Sequence, residues 1–401
     1  MKLVRAILVA VAALPLVKSS INSSTGDSLK LLEDCQHRVI DSLPPCNPCF
    51  EASCQQCPGS SQDKCKAASR EAFLNESCQE ALNEQIQKFV KADAGKRCAH
   101  LLEMPRPSAK MRTFGVNANR SDWMSNIPDG QSLAHMTIPG THQSCARYGG
   151  ILSQCQTMTI TEQLNNGIRF LDIRARLHEN AFTMHHDFVY QNMVFGRVLD
   201  ECMEFLNKHP TEAILMKIKQ EYSKASDAEF IDLFNKYRNE RGYKNQRYGE
   251  KMHISYHVPT MGEVRGKIVI ISQVHGLPGL PWPTVNVQDD YWVSTIAHIP
   301  DKWQKVKNHL IEAASEHYRG NRRLYANFAS GASYGIGLAF PHIIAKLVNR
   351  DLYSHLKNEK CAHGEYCYFG IVAMDYPGYY DDGVIDLLIR ENRRKSVDKV
   401  G

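Results

Sequence analysis

The stretch that decides the architecture is IRFLDIRARL, residues 168–177. Leu171, Ile173, Ala175 and Leu177 fall on one side and Phe170, Asp172, Arg174 and Arg176 on the other, the two-residue period of a strand. The apolar side can pack on helices; the other side brings a carboxylate and two guanidiniums toward an interior. Working outward, short apolar runs recur at LAHMTIP (133–139), EAILMKI (212–218), KIVIIS (267–272), RLYANFA (323–329) and FGIVAM (369–374). Between them lie amphipathic stretches at 194–208, 226–238, 300–315, 340–357 and 381–394. In the first, Val194, Val198, Cys202 and Phe205 recur at helical spacing. Alternating strand and helix signals over this length predict an α/β fold, a (β/α)8 TIM-type barrel. A doubly wound sheet is the fallback, but neither G-x-G-x-x-G nor a P-loop stands in the sequence to support it.

The 401 residues exceed what such a barrel needs. At 43% hydrophobic and 23% charged, the chain is neither disordered, collagen-like nor coiled-coil. A formal charge of 48 − 43 = +5, without a long basic block, gives no case for nucleic acid. Residues 1–20 carry Lys2 and Arg5, an apolar run from Ala6 to Val17, then Ser19 and Ser20, the layout of a secretory signal peptide. An exported, oxidising destination makes the eight cysteines between Cys35 and Cys98 read as a disulfide framework, with zinc at the two C-x-x-C pairs as the alternative. Cys145 with Cys155, and Cys361 with Cys367, can each close a loop tip, while Cys202 reads as a buried free thiol. Sequons at Asn22, Asn75 and Asn119 suit a secreted glycoprotein. The expected organisation is a signal peptide at 1–20, a small disulfide-rich module with its linker at 21–111, and a catalytic barrel at 112–401.

In a β/α barrel, function collects at the carboxyl ends of the strands. LAHMTIPGTHQS ends in a turn that sets His142 on the rim, and FGIVAMDYPG places Asp375 at the end of the last clear strand. In EAILMKIKQEY, Lys217 and Lys219 share a face; in FTMHHDF, His185 and His186 lie on opposite faces, so one looks into the mouth. Interior charges at several strand ends are too costly to arise without purpose and read as an anion-binding catalytic cup. Paired histidines serve acid–base chemistry at phosphorus, and Arg and Lys stabilise charge on the non-bridging oxygens. Each residue also has a plainer reading. A strand-end His can be merely hydrogen-bonded, Arg174 with Asp172 can be a structural ion pair, and one lysine can face solvent. No His/carboxylate cluster has metal-ligand spacing, so no metal or other cofactor is expected.

The stretches DWMSNIPDGQSLAHMTIPGTHQS, GIRFLDIRARL, MHHDF and HPTEAILMKIKQEY closely resemble the catalytic domain of bacterial-type phosphatidylinositol-specific phospholipase C. The likeness continues through VRGKIVIIS, VNVQDDYWV, LYANFAS and GIVAMDYPG, covering nearly all of 120–395 in consistent order but not the Cys-rich module. It implies a distorted, incompletely closed barrel that cleaves phosphatidylinositol to diacylglycerol and a cyclic inositol phosphate without metal. It further implies His142 as general base, Asp375 as the group orienting it, His186 as general acid, and Arg174 on the phosphate oxygens. Lys219, Asp289 and Tyr291 would line the inositol pocket. Two departures from the family pattern matter most: Gln143 follows the base where bacterial members have Asp, and Gln273 stands where relatives carry an inositol-contacting Arg. Asp187 follows the acid where relatives usually have Gly.

A lipid substrate implies contact with a phosphatidylinositol-containing membrane surface. GASYGIGLAFPH, with Tyr334, Ile336, Leu338 and Phe340, and GLPGLPW, with Leu277, Leu280 and Trp282, are candidate interfacial loops. The expectation is a secreted, peripheral and monomeric lyase, acting also on glycosylphosphatidylinositol-anchored proteins. Another phosphodiester lipid hydrolase, or a non-catalytic lipid- or glycan-binding protein, remains the alternative.

Overall fold

A computed structural model describes residues 120–333, 339–358, 368–378 and 383–392. The leader, the Cys-rich module with its framework, the three sequons, the Cys361–Cys367 pair, and Tyr334, Ile336 and Leu338 lie outside the described residues.

Each apolar run forms a strand. These are β1 (Thr137–Thr141), β2 (Phe170–His178), β5 (Ile214–Gln220), β7 (Ile268–Ser272), β10 (Tyr325–Phe328) and β11 (Gly370–Met374). Between β2 and β5 come β3 (Ala181–His186) and β4 (Val189–Val194); the short strands β6 (Met252–His253), β8 (Leu280–Pro281) and β9 (Asn286–Gln288) complete the set. The order β6-β7-β5-β2-β1-β11-β10-β9 is parallel throughout, with β8 added beside β7. Among the described residues no pairing joins β9 to β6 or β8, so the sheet curls into a barrel that stays open along that seam.

The amphipathic stretches form the helices. α1 (Ile160–Asn165) starts in a capping box made by Thr159 and Glu162, and α2 (Phe195–Lys208) follows β4. α3 (Asp227–Asn239) has a second capping box, from Ser226 and Glu229. α4 (Ile299–Tyr318), α5 (Pro341–Asn358) and α6 (Gly383–Arg390) cover the remaining strands. Val198, Cys202 and Phe205 are buried as their spacing requires, whereas Val194, the first of that series, is the exposed, extended residue before the helix; Cys202 is a buried free thiol.

Inside the barrel the alternation of β2 is honoured: Phe170 meets Phe328 edge-on at 6.4 Å, and Trp282 meets Phe328 at 6.2 Å. The chain must approach closely here, because a Cβ on Gly140 would lie 2.8 Å from the Phe170 ring. At the opposite end of β2 a sealed ion pair fastens the floor. Arg169 Nη2 lies 2.7 Å from Glu212 Oε2 with both side chains fully buried, and the same guanidinium donates to the carbonyls of Leu164, Ile168, Arg120 and Ser121.

Three expectations are corrected. Leu277, Leu280 and Trp282 are buried, as is Phe340, so GLPGLPW is a core segment rather than an interfacial loop. Trp282 fills the barrel under the Lys217 ammonium, 4.7 Å from its ring. Cys145 and Cys155 are both free, because their thiols face different neighbours: Cys145 lies toward Glu201 and Cys202 on α2, Cys155 toward Asp375 and His186. Finally, FTMHHDF is no barrel strand. It forms the antiparallel hairpin β3–β4, which extends β2 past the rim.

Candidate active site

The register of β1 against β11 builds the first half of the site. Thr141 lies opposite Met374, so the next residues, His142 and Asp375, emerge side by side at the carboxyl edge. His142 Nδ1 stands 2.8 Å from Asp375 Oδ1. An ionised carboxylate only accepts, so Nδ1 carries the proton and Nε2 keeps its lone pair. Gln156 Nε2 clamps both strand ends, donating to the carbonyls of His142 at 2.7 Å and Met374 at 3.0 Å.

The hairpin supplies the second half. His186 ends β3, and its Nδ1 donates to the Ser153 carbonyl at 2.6 Å, which fixes the ring and leaves Nε2 for other work. The rings of His142 and His186 lie 6.4 Å apart between centroids and are nearly perpendicular, at 86°. His185 turns to the other face and packs on Tyr190.

Below the two imidazoles runs a chain of alternating charges. Lys217 Nζ is 2.9 Å from Asp172 Oδ1, Arg174 Nη2 is 3.1 Å from Asp172 Oδ2, Arg174 Nη1 is 3.7 Å from Glu221 Oε1, and Lys219 Nζ is 2.8 Å from Glu221 Oε2. Both lysines of the strand therefore face inward. Arg174 makes the structural ion pair with Asp172 and still stands within electrostatic reach of both imidazoles. Glu221 had no assigned role in the sequence reading, although Lys217, Lys219 and Glu221 share one face by the same two-residue period.

Burial and then the Arg174 charge push His142 well below the ordinary histidine range, so it is a neutral base in the free protein. Burial lowers His186 too, against the pull of Asp187 and Glu221, which favour its charged form. Burial pushes the Asp375 carboxyl up, with the Cys155 thiol and the charges of Arg174 and Lys302 opposing. Asp172 is held well below the carboxylate range: burial works to raise it, but the Arg174 and Lys217 charges prevail. An imidazole ready to take a proton, a second to give one, and a guanidinium between two carboxylates can together handle an anionic diester.

The other expected residues divide. Gln143 is buried directly behind His142, its backbone N–H on Asp172 Oδ2 at 3.1 Å and its amide Nε2 without a partner. Asp289 and Tyr291 follow β9 on the rim, and the charges of Arg174 and Lys217 reach Asp289. Gln273 follows β7 and is exposed, its backbone N–H bonded to the Ile218 carbonyl. Cys155, read as half of a disulfide, is instead inside the site, with Sγ 3.8 Å from His186 Nδ1. His142, Cys155 and Asp375 bring three ligand-type atoms within 4.8 Å of one another.

Residues 130–274 match the family described as phosphatidylinositol-specific phospholipase C, X domain. A 1-phosphatidylinositol phosphodiesterase of Listeria monocytogenes is 30% identical over 295 residues, which span 68% of this chain and 84% of that protein. Its namesake in Staphylococcus aureus strain Newman is 28% identical over 308 residues, 68% of this chain and 95% of that one. Among solved structures, the phosphatidylinositol-specific phospholipase C of Listeria monocytogenes aligns with a TM-score of 0.55 at 26% identity, over 69% of this chain and 100% of its own. The Staphylococcus aureus counterpart gives 0.59 at 25% identity, over 69% and 98%.

Proposed function

The chain belongs to the phosphatidylinositol-specific phospholipase C X-domain family, and from that premise we propose that it cleaves phosphatidylinositol to diacylglycerol and inositol 1,2-cyclic phosphate. The observation that carries this reading is the pair of imidazoles, 6.4 Å apart between ring centroids, with Asp375 behind one and Arg174 near both.

His142 Nε2 takes the proton of the inositol 2-hydroxyl as that oxygen attacks phosphorus. The new P–O bond closes the cyclic phosphate while the bond to the glycerol oxygen breaks, and His186 Nε2–H supplies the proton that oxygen needs. Asp375 steadies the imidazolium that forms on His142; Arg174 neutralises the charge gathering on the non-bridging oxygens, the work a cation would otherwise do. Lys219, Asp289 and Tyr291 take the inositol hydroxyls, with Gln143 and Gln273 shaping the same pocket. Glycosylphosphatidylinositol anchors fit the same chemistry wherever the inositol 2-hydroxyl and phosphodiester are free. The leader pattern and the cysteines of 35–98 support a secreted protein, and the proposal takes it as a monomer that meets its lipid peripherally.

The test is purified protein with phosphatidylinositol vesicles and excess chelator, followed by phosphorus NMR. The cyclic phosphate resonance is expected to appear first. Turnover abolished by chelator, or vesicle binding without any phosphorus chemistry, would overturn the proposal.

A further inference from the structure

Cys155 lies against the imidazoles of the site and has no part in the proposed reaction. Its Sγ lies 3.8 Å from His186 Nδ1 and beside the Asp375 carboxylate, and the ligand-type atoms of Cys155, His142 and Asp375 fall within 4.8 Å of one another. Asp375 is buried, its Oδ1 paired with His142 Nδ1 and its carboxylate also faced by the Cys155 thiol. Sulfur, imidazole and carboxylate on three separate segments form a mixed donor set that zinc accepts and that calcium and magnesium do not favour.

We propose that His142, Cys155 and Asp375 form an inhibitory site for a soft divalent cation, zinc being the reference ion, which switches off the proposed acid–base reaction by capturing its base. The inference rests on the proposed function for its consequence but not for the site itself. Zinc–ligand distances of about 2.0–2.3 Å put neighbouring donors in a tetrahedral site about 3.3–3.8 Å apart, so the widest separation, within 4.8 Å, must shorten by about 1 Å while the His142–Asp375 pair, at 2.8 Å, must open by about 0.5 Å. Thiolate and carboxylate together cancel the two charges of the ion, which a buried cation requires.

The proton balance explains the inhibition. Zinc displaces the Cys155 thiol proton to solvent and takes His142 through Nδ1, the nitrogen already beside Asp375. The imidazole stays neutral, so its proton moves to Nε2. The nitrogen that must accept the hydroxyl proton then already carries one. Inhibition therefore needs no occupation of the headgroup pocket and lowers kcat while vesicle binding persists.

The experiment uses the full chain, stripped of metal, with phosphatidylinositol in phosphatidylcholine vesicles and buffered free zinc. Zinc is expected to inhibit, magnesium and calcium at the same concentration are not, and Cys155→Ser should raise the half-inhibitory zinc concentration about 100-fold relative to its own zinc-free rate. Cys145→Ser and Cys202→Ser should leave it unchanged. Equal inhibition of wild type and Cys155→Ser, or none, overturns the proposal. A second readout does not depend on activity: cobalt(II) added to the full chain should give a thiolate-to-metal band whose intensity drops in Cys155→Ser and Cys155→Ala but not in Cys145→Ser. An unchanged cobalt spectrum in both Cys155 variants also overturns it. A chain with the Cys155-dependent cobalt band but no lyase activity would sink the proposed function and leave the site standing.

Discussion

Replacing Asp375 with Asn tests the base most directly, because the side chain keeps its size and loses its charge. In the free protein His142 is neutral and gains little from the carboxylate 2.8 Å away. During the reaction it becomes an imidazolium, with charge centres about 4 Å from those of Asp375, where two unit charges at an effective dielectric of about 20 attract by about 4 kcal/mol. That stabilisation exists only once the proton has moved, so it belongs to kcat. At about 1.4 kcal/mol per decade, Asp375→Asn should lower kcat about 1000-fold. An amide that turned its NH2 toward Nδ1 would also force the proton onto Nε2 and deepen the loss. Single-turnover formation of cyclic inositol phosphate from vesicles measures it, with vesicle affinity as the control for binding.

Stability should move the other way. Burial holds the Asp375 carboxyl well above its usual range, so its contribution to folding is complete below the unfolded-state pKa and is lost as pH rises through the folded one. Wherever the group is ionised in the folded protein its burial is a cost, and Asn removes it. The Tm of the variant should equal or exceed that of the wild type. A kcat within tenfold of wild type would refute the reasoning, and so would a matching collapse of Tm, which would make the loss structural.

Three further outcomes are expected. His186→Ala should cut cleavage of phosphatidylinositol about 100- to 10,000-fold, yet cost less than tenfold with a nitrophenyl inositol phosphate, whose leaving group needs no proton; His142→Ala should fail on both. The pH profile of kcat/KM requires His142 neutral and His186 charged. Because burial lowers His186, its alkaline limb should lie below pH 6.5, and Asp187→Asn should move it further to acid by removing a carboxylate that favours the charged ring; a limb above 6.5 would contradict the assignment. Arg169→Met strands the Glu212 carboxylate in the floor and should lower unfolding free energy by about 3–5 kcal/mol in urea titrations with kcat unchanged, whereas a loss under about 1 kcal/mol would mean that Glu212 finds another partner.

What the sequence made legible follows the strength of each local signal. IRFLDIRARL declares its strand because its alternation survives in the fold, and α2 declares itself through Val198, Cys202 and Phe205. A two-residue strand such as Met252–His253 has no period to read, so the barrel edges were invisible. The β3–β4 hairpin was missed for another reason: its link to β2 turns at Glu179 and Asn180, both left-handed at φ 47° and 60°, without the Asn-Gly pair that marks such turns. At the site, His142 and Asp375 were named by likeness to known motifs, but their contact across 233 residues comes from the parallel register. Cys155 was misread because spacing in sequence says nothing about which way two thiols face. The apolar GLPGLPW loop was misread because composition does not distinguish a membrane-facing surface from a barrel interior.

The backbone itself marks the site, at positions where no glycine advertises it. Gln143, Asp187, Tyr222 and Tyr376 have φ of 44°, 48°, 45° and 46°, and they directly follow His142, His186, Glu221 and Asp375. Left-handed backbone at a residue with a side chain costs about 1–3 kcal/mol. Four such residues amount to a strain comparable with the whole net stability of an ordinary domain, about 5–15 kcal/mol. Three of the kinks come where a barrel strand carrying a functional side chain ends, and the fourth, at Asp187, lies in the turn of the β3–β4 hairpin, so the chain turns sharply at each instead of running on into solvent. That strain must be offset by the packed body of the fold, and at the other end of β2 and β5 Arg169 and Glu212 are sealed against Trp123 and Phe205, where losing either partner is costly. The division gives the molecule a floor that holds the barrel together and a rim that is free to be strained. It also gives a physical reason why Arg169→Met and Asp375→Asn should separate stability from catalysis so cleanly.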